Sequence, residues 1–239
     1  MRILLATSNP HKLGEIRAIF DACADAALEQ GEGAALKRID LIGFDAIKLT
    51  IAKPAEDQPT FEANATLKAR YYASATGMLC LADDSGLEVD ALGGAPGVRS
   101  ARYAKLTGSR GDVDAANNRL LMQNLRGVPV EKRTARFVCA MALCRPSDTG
   151  EPLALVRGAV EGRILTDGEA GDDARGRGDN GFGYDPLFYV PELGKTAGEL
   201  APDHKNRISH RGNAARRMWQ AIGRITHTDI GSSGAVDDR

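Results

Sequence analysis

Residues 3–20 read Ile-Leu-Leu-Ala-Thr-Ser-Asn-Pro-His-Lys-Leu-Gly-Glu-Ile-Arg-Ala-Ile-Phe, and this stretch decides the fold class. Residues 3–6 are a short apolar run that predicts a strand, and a polar turn follows at 7–10. Apolar side chains then recur at helical spacing, and a proline stands where it suits the first turn of a helix. The stretch therefore predicts a strand, a tight turn and a helix.

The rest of the chain mixes strand and helix patterns without strict alternation. This favours an α/β fold with a mixed sheet and surrounding helices, in two lobes, over a regular doubly wound sheet. The remaining predicted elements are a strand region at 36–49, a helix from Thr60 to about Gly77, two strands around the Asp-Asp-Ser-Gly sequence at 83–86, a helix capped by Asp112 that ends near Arg126, paired strands at 133–144 and 153–162, a strand at 186–190 and a last helix at 209–225.

Length and composition predict a self-supporting globular protein. The 239 residues are enough to bury a core, and we expect one domain at 1–225 followed by a polar, mobile tail at 226–239. A formal net charge of −1 argues against stable nucleic-acid binding. The four scattered cysteines, the short apolar run at the amino terminus and the lack of a membrane-length apolar segment predict a cytoplasmic protein with no membrane association.

The junction between the first strand and the first helix has the properties of an anion site. Free backbone N–H groups, the positive end of a helix and an ammonium group converge there, as a phosphate group requires. The alternative is an ordinary helix cap by Ser8 or Asn9 with a solvated lysine. The six residues of this candidate phosphate-binding turn are Thr7, Ser8, Asn9, Pro10, His11 and Lys12.

Asp83-Asp84-Ser85-Gly86 places two adjacent carboxylates after an apolar run. Neighbouring side chains of a strand point to opposite faces, so one carboxylate can face a cleft while the other holds local structure. A carboxylate in a cleft can bind Mg²⁺ or accept a proton from water. Glu56 is a second candidate oxygen ligand. The alternatives are a simple turn at 83–86 and a surface acid at 56.

Two later segments offer contacts for a ligand. Gly181-Phe182-Gly183-Tyr184-Asp185-Pro186 combines flexible backbone with two aromatic rings on which a base can stack, the alternative being a tight loop with core aromatics. Residues 205–213 are basic and are predicted to open the last helix, where cations favour an anionic ligand, although a solvated helix start is the alternative. Known phosphate-loop and dinucleotide fingerprints are missing, because Tyr189 stands where the glycine before Gly194-Lys195-Thr196 is needed and no strand leads into 176–181.

Taken together and in order, six stretches resemble the inosine triphosphate pyrophosphatase family, also called the Ham1-like non-canonical purine nucleoside triphosphate pyrophosphatases. The likeness runs from residue 3 to about 222. The stretches are Thr-Ser-Asn-Pro-His-Lys at 7–12, Thr-Phe-Glu-Ala-Asn-Ala-Thr-Leu-Lys-Ala-Arg at 60–70, Ala-Asp-Asp-Ser-Gly-Leu-Glu-Val-Asp-Ala-Leu-Gly-Gly-Ala-Pro-Gly at 82–97, Ser-Ala-Arg-Tyr at 100–103, Gly-Phe-Gly-Tyr-Asp-Pro at 181–186 and Ile-Ser-His-Arg-Gly at 208–212.

The resemblance implies Mg²⁺-dependent hydrolysis of ITP, dITP and XTP to the monophosphate and pyrophosphate, in a central cleft between two lobes, by a homodimer. It implies that Asp84 is the proton acceptor and a metal ligand, with Glu56 as a second metal ligand. Residues 7–12 would bind the triphosphate. The further substrate contacts that it implies are Lys68, Ser85, Phe182, Gly183, Tyr184, Asp185, Lys205, His210 and Arg211.

The chain also departs from the family pattern. Many members have two consecutive glutamates after Thr-Phe, whereas this chain has Glu62-Ala63, and residues 26–36 and 171–180 are insertions. Hydrogen-bond donors on His210 and Arg211 would suit the 6-keto group of hypoxanthine and disfavour adenine, but they do not explain how guanine is excluded. Two rival hypotheses are a pyrophosphatase for other modified nucleotides and a non-catalytic nucleotide- or RNA-binding module.

Overall fold

A computed structural model of the protein describes residues 1–7, 9–30, 39–47 and 51–231. Ser8, residues 31–38, which include part of the predicted insertion at 26–36, residues 48–50 and the tail from 232 onward therefore lie outside the described residues. The side chains of Pro10, His11, Pro202, Asp203, Asn206 and residues 226–231 also lie outside them. No helix within the described ranges is long and apolar enough to cross a lipid bilayer.

The centre of the fold is a seven-stranded mixed sheet with the order β2-β1-β3-β4-β5-β6-β7. The first strand is parallel to its two neighbours, and the remaining pairs are antiparallel. This confirms the predicted mixed α/β architecture. The strands are β1 (Arg2–Leu5), β2 (Asp40–Ile42), β3 (Cys80–Val89), β4 (Thr134–Cys144), β5 (Ala154–Ile164), β6 (Phe188–Val190) and β7 (Lys195–Thr196).

Helices pack on both faces of this sheet. The three long helices expected from the sequence are present, together with two short ones and a longer last helix. They are α1 (Pro10–Glu29), α2 (Phe61–Thr76), α3 (Arg110–Asn124), α4 (Asp167–Ala170), α5 (Pro202–Ile208) and α6 (His210–Gly231). The last helix continues beyond residue 225, so the start of the predicted tail is helical.

The prediction of two strands around residues 83–86 is wrong, because β3 runs through them without a turn. Ser85 pairs with Cys139 and Gly86 with Val138 in the antiparallel ladder with β4. The ladder satisfies the backbone groups that an isolated Asp-Asp-Ser-Gly sequence would direct into a turn. Gly86 is needed for packing, since a Cβ there would collide with Ser100, Gly97 and Phe61.

Two helix boundaries also differ from the prediction. Ser109 caps α3, where its hydroxyl accepts the Asp112 N–H at 3.3 Å, so Asp112 lies inside the first turn. The basic stretch near 205 does not open the last helix. This basic stretch instead ends the short helix α5. Ser209, which has an extended ψ of 156°, separates α5 from α6.

The apolar core falls into separate clusters along the long strands β3 and β4. On one face α1 and α6 pack over Leu81 and Met141, and on the other α2 packs over Ala82 and Ala140. A third cluster joins the far half of the same strands to α3, with Phe137 in contact. Asp83, Asp84 and Ser85, which are described below, lie on the β3 segment that connects these clusters.

The amino terminus of α2 gives a prediction for stability. Thr60 Oγ1 accepts the Ala63 N–H at 3.1 Å, and Gly77 ends the helix with a φ of 67°, as the sequence predicted. Thr60→Ala is expected to lower the free energy of unfolding by about 1 kcal/mol, measured by urea denaturation. Thr66→Ala, in the interior of the same helix, is the control. Equal effects of the two changes would contradict the capping role.

Candidate active site

Asp83 and Asp84 point to opposite faces of β3, as the alternation of a strand requires. Asp83 is buried on the face that carries α1 and α6, and Asp84 faces α2. The predicted division of labour between two adjacent carboxylates is therefore present in the geometry, although they lie within a strand and not before a turn.

Asp83 is the centre of a buried charge cluster. Its Oδ2 lies 2.8 Å from Lys12 Nζ and 4.0 Å from Arg211 Nε, and Ser85 Oγ approaches it at 3.5 Å. Burial alone would raise the pKa of Asp83, but Lys12 and Arg211 outweigh it and hold the pKa well below its ordinary value. Asp83 therefore acts as a permanent anion that fixes two cations.

Asp84 belongs to a second polar cluster, formed with α2. Its Oδ2 accepts a hydrogen bond from Asn64 Nδ2 at 3.0 Å, and its Oδ1 lies 3.4 Å from Lys68 Nζ. The same Nζ lies 2.7 Å from Glu56 Oε2. Burial raises the pKa of Asp84 although Lys68 and Asn64 oppose this effect. A carboxylate with a raised pKa is a better proton acceptor than an ordinary aspartate.

Lys68 links the two clusters electrostatically. Burial would lower its pKa, but Asp84, Asp83 and Glu56 together raise it, so the ammonium group stays charged. Glu56, predicted as a second oxygen ligand with a surface acid as the alternative, thus lies beside Lys68 and Asp84. Ala63 lines a cavity on the outer face of α2, whereas Asn64 and Lys68 face Asp84.

Two carboxylates separated by one ammonium group are chemically suited to Mg²⁺. Mg²⁺ prefers hard oxygen ligands and commonly uses one or two protein carboxylates together with water and substrate phosphates. Within the described residues, no group of three or more His, Cys, Asp or Glu side chains forms a protein-only metal cage. Asp84 and Glu56 therefore fit a metal ion that is completed by a phosphate ligand.

The turn that precedes α1 is only partly described. Thr7 Oγ1 accepts the Asn9 N–H at 3.1 Å, which closes a tight turn, and α1 begins at Pro10 as predicted. Lys12 lies in the first turn of this helix and reaches Asp83. The structure thus brings Lys12 to the carboxylates, while Ser8 and the side chains of Pro10 and His11 lie outside what it describes.

The amino terminus of α6 completes the Asp83 cluster. Gly158 on β5 lets the helix approach closely, since a Cβ there would collide with the backbone of His210 and Ala214. Arg211 is buried and its Nη1 donates to Glu15 Oε2 at 2.8 Å. The His210 ring stacks on Phe137 with ring centroids 5.1 Å apart.

The loop at 181–186 lies beside this cluster, and its two rings have different roles. Phe182 is 41% exposed, whereas Tyr184 is buried and donates its hydroxyl to Ser100 O at 2.8 Å. Tyr184 is therefore a core residue, which matches the alternative given above for it, and only Phe182 remains accessible for stacking. Lys205 Nζ lies 2.5 Å from Asp185 Oδ2 and 5.8 Å from the Phe182 ring centroid.

Basic residues at 205–211 were expected to crowd one helix start, and this is wrong for Lys205. It occupies the last turn of α5, where a cation is favoured by the helix dipole, so its position needs no anionic ligand. His210 nevertheless lies within electrostatic range of Lys205, Arg211, Lys12 and Asp83. Lys205 also pairs with Asp185 of the loop, so His210 at the start of α6 is electrostatically coupled both to this loop anchor and to the Asp83 cluster.

His210 gives a pH-dependent prediction. Burial, with Arg211 and Lys205 nearby, lowers the pKa of His210 well below 6.5, so the folded protein holds it neutral. Below pH ~6.5 the unfolded chain takes up a proton that the folded protein refuses, so stability is lost as the pH falls. Between pH 7.5 and 5.5 we expect wild type to lose about 1.4 kcal/mol more than His210→Gln, measured by urea denaturation. Identical pH dependence of the two proteins would contradict this.

Sequence reasoning missed Asn64 and Glu15. Asn64 stands four residues before Lys68. That spacing places both side chains on one helix face and was the available signal. Glu15 had no local signal, because its partner Arg211 lies 196 residues away.

Comparison with known proteins identifies the family of this chain. The model of the Ham1 family matches residues 3–221. The chain belongs to the Ham1 family. A dITP/XTP pyrophosphatase from Nitratidesulfovibrio vulgaris is 45% identical over 93% of this chain and 97% of its own length, and one from Exiguobacterium sibiricum is 43% identical with the same coverage.

A solved structure supports the same assignment. A HAM1 protein from Coxiella burnetii superposes with a TM-score of 0.75 at 34% sequence identity, over 94% of this chain and 99% of that protein. The family resemblance expected from the sequence is thereby confirmed, and with it the Ham1-type mixed sheet. The insertions near 26–36 and 171–180 do not prevent nearly full-length coverage.

Proposed function

We propose that this chain is a nucleoside triphosphate pyrophosphatase that hydrolyses ITP, dITP and XTP to the monophosphate and pyrophosphate with Mg²⁺. The observation that carries the proposal is the pair of linked clusters, in which a high-pKa carboxylate at Asp84 lies next to Lys68 and close to the Lys12–Asp83–Arg211 group. Membership of the Ham1 family and the dITP/XTP pyrophosphatase names of its relatives support the same reaction.

In this proposal the cations hold the triphosphate. Lys12 projects from the first turn of α1, where free N–H groups and the helix dipole add to its charge, and Thr7 to Lys12 form the phosphate-binding turn. Lys68 approaches from the opposite face of β3 through Asp84, whereas Ser85 lies on the same face as Asp83 and Lys12. Two ammonium groups offset the charge that develops as pyrophosphate leaves.

Asp84 and Glu56 would hold the metal ion. Mg²⁺, when bound, offsets the negative charge of the phosphate oxygens. Glu56 also keeps Lys68 in place through its 2.7 Å ion pair. Because Lys68 lies between the two carboxylates, we expect its ammonium group to move toward the phosphates when substrate and metal bind.

Asp84 is the proposed proton acceptor. A water molecule attacks the α-phosphorus, and the bond from that phosphorus to the bridging oxygen breaks. Pyrophosphate leaves with the bridging oxygen, and the water proton passes to the Asp84 carboxylate. Asn64 holds one carboxylate oxygen through its hydrogen bond, so the other is directed toward Lys68 and the phosphates. Phosphoryl chemistry of this kind depends mainly on such positioning.

The nucleoside end of the site is proposed to comprise Phe182, Gly183, Asp185, Lys205, His210 and Arg211. The exposed Phe182 ring offers a face for a purine. Neutral His210 and charged Arg211 present donors to a 6-keto group, which leaves the 6-amino group of adenine facing a donor. We extend the proposal to a cytoplasmic homodimer that acts on free nucleotides, since a net charge of −1 does not favour nucleic acid.

A substrate panel tests this proposal. The purified chain is incubated with Mg²⁺ and ITP, dITP, XTP, GTP, ATP or oxidised pyrimidine triphosphates, and kcat/KM for pyrophosphate release is measured with and without EDTA. We expect turnover of ITP, dITP and XTP to exceed that of ATP by about 100-fold and to stop in EDTA, and the GTP rate shows whether the site also excludes guanine. Preference for the pyrimidine substrates would favour the rival enzyme, and binding without turnover would favour a non-catalytic module.

A further inference from the structure

One face of α3 touches the aromatic loop, although none of its residues belongs to the sequence stretches discussed above. Asp114 Oδ2 accepts the Gly183 N–H at 3.0 Å, and Asn118 Nδ2 donates to Gly183 O at 3.1 Å. The guanidinium carbon of Arg110 lies 4.5 Å from the centroid of the Phe182 ring. Residues 110, 114 and 118 follow one another at a spacing of four, so they share one helix face.

These contacts fix the part of the loop that has the least support from packing. Gly183 has a φ of 63°, a left-handed conformation, and α3 holds both of its hydrogen-bonding groups. Behind the loop lies a cavity of about 490 Å³, bordered by Asp114, Asn118 and the inserted residues 173–180. Because the cavity leaves the loop without close-packed neighbours on this side, hydrogen bonds must set its position.

The opposite side of the loop is anchored independently. Asp185 Oδ2 accepts the Phe182 N–H at 2.8 Å and pairs with Lys205, and the Tyr184 hydroxyl is tied to Ser100. Phe182 is therefore held between a core anchor and the α3 face. The Arg110 guanidinium carbon lies 4.5 Å and the Lys205 Nζ 5.8 Å from the centroid of this ring, so a purine must stack beside these cations or displace one of them.

We propose that Arg110, Asp114 and Asn118, here called the α3 ladder, position the Phe182 platform and thereby set the affinity of the site for the purine base. This inference rests on the proposed function, because it assigns the base-binding role to Phe182. Asp114 and Asn118 are positioning residues, since they act through the Gly183 peptide. The α3 ladder acts on the base-binding loop and not on the phosphate-binding cations. Changes in the ladder should therefore alter affinity for the base without altering affinity for the phosphates.

The test compares Asp114→Ala and Asn118→Ala with Asp114→Asn, which keeps an acceptor oxygen for the Gly183 N–H. Gln123→Ala, an exposed position on α3, is the control. The alanine variants are expected to raise KM for ITP and Ki for IMP about 3- to 10-fold, with kcat and Ki for pyrophosphate within about twofold of wild type. Asp114→Asn should restore most of the loss.

Hydrogen exchange of the peptide that contains Gly183 gives a second readout that needs no turnover. Loss of the Asp114 contact is expected to speed exchange of the Gly183 amide about 10-fold. Unchanged exchange, or an equal rise in Ki for IMP and pyrophosphate, would overturn the proposal. If the wild-type chain binds IMP but does not hydrolyse ITP, the proposed reaction is wrong. The Ki values for IMP and the hydrogen-exchange rates would still test whether the α3 ladder positions Phe182.

Discussion

Asp84→Asn is expected to lower kcat toward ITP by about 10²- to 10⁴-fold. The amide cannot accept a proton from the attacking water, yet it keeps the size of the carboxylate and still offers an oxygen to Asn64. Since burial raises the pKa of Asp84, the folded protein disfavours the charged form. At pH 7 the variant should therefore be at least as stable as wild type.

The measurement is the initial rate of pyrophosphate release at saturating ITP and Mg²⁺, accompanied by a urea denaturation curve. Asp90→Asn is the matched control, because Asp90 directly follows the same strand and its side chain is 43% exposed. Normal turnover by Asp84→Asn would remove Asp84 from the catalytic role. Loss of activity together with loss of stability would indicate a structural role.

The same substitution at Asp83, one residue earlier, should mainly lower stability. Asp83→Asn is expected to lower the free energy of unfolding by about 3 kcal/mol or more, because it leaves Lys12 and Arg211 beside each other without their counter-ion. The pKa of Asp83 is depressed in the folded protein, so its contribution is present above the unfolded pKa and is lost only as the pH falls through the folded value.

Urea denaturation at pH 7 measures this loss, and Asp84→Asn is its control. A variant that is as stable as wild type would contradict the counter-ion role of Asp83. Activity of Asp83→Asn should be read only under conditions in which it is folded, for example at low temperature. Displacement of Lys12 should then appear mainly as a higher KM for the triphosphate.

Local signals predicted the parts of the fold that local interactions determine. The strand–turn–helix at the amino terminus and the Thr60 and Gly77 caps of α2 were correct, because capping chemistry is contained within a few residues. The alternation of a strand also placed Asp83 and Asp84 on opposite faces correctly. The alternation applies to Asp83 and Asp84 even though β3 continues through residues 83–86 without a turn.

Errors arose where distant partners decide the structure. β3 continues through Ser85 and Gly86 because β4, more than 50 residues later, completes its ladder. Lys205 and Arg211 look like one basic helix start, but Ser209 separates two helices. Both cases show tertiary contacts overriding a local preference.

The sequence predicted which residues form the candidate site better than it predicted how they contact one another. The family resemblance named Asp84, Lys68 and Glu56, and the structure brings them together. The α3 ladder could not be predicted, because Asp114 and Asn118 lie 69 and 65 residues from Gly183 and form no recognisable motif. Tyr184 could not be recognised as a core residue either, because its hydroxyl partner, Ser100 O, lies 84 residues away.

The most direct test of the central claim is hydrolysis of ITP in H₂¹⁸O, with the products examined by phosphorus NMR and mass spectrometry. Attack of water on the α-phosphorus predicts one ¹⁸O atom in IMP, none in pyrophosphate, and no label in either product with Asp84→Asn within the time of the wild-type reaction. Label in pyrophosphate would mean attack at the β-phosphorus. Release of inorganic phosphate as the first product would contradict the proposed pyrophosphatase reaction.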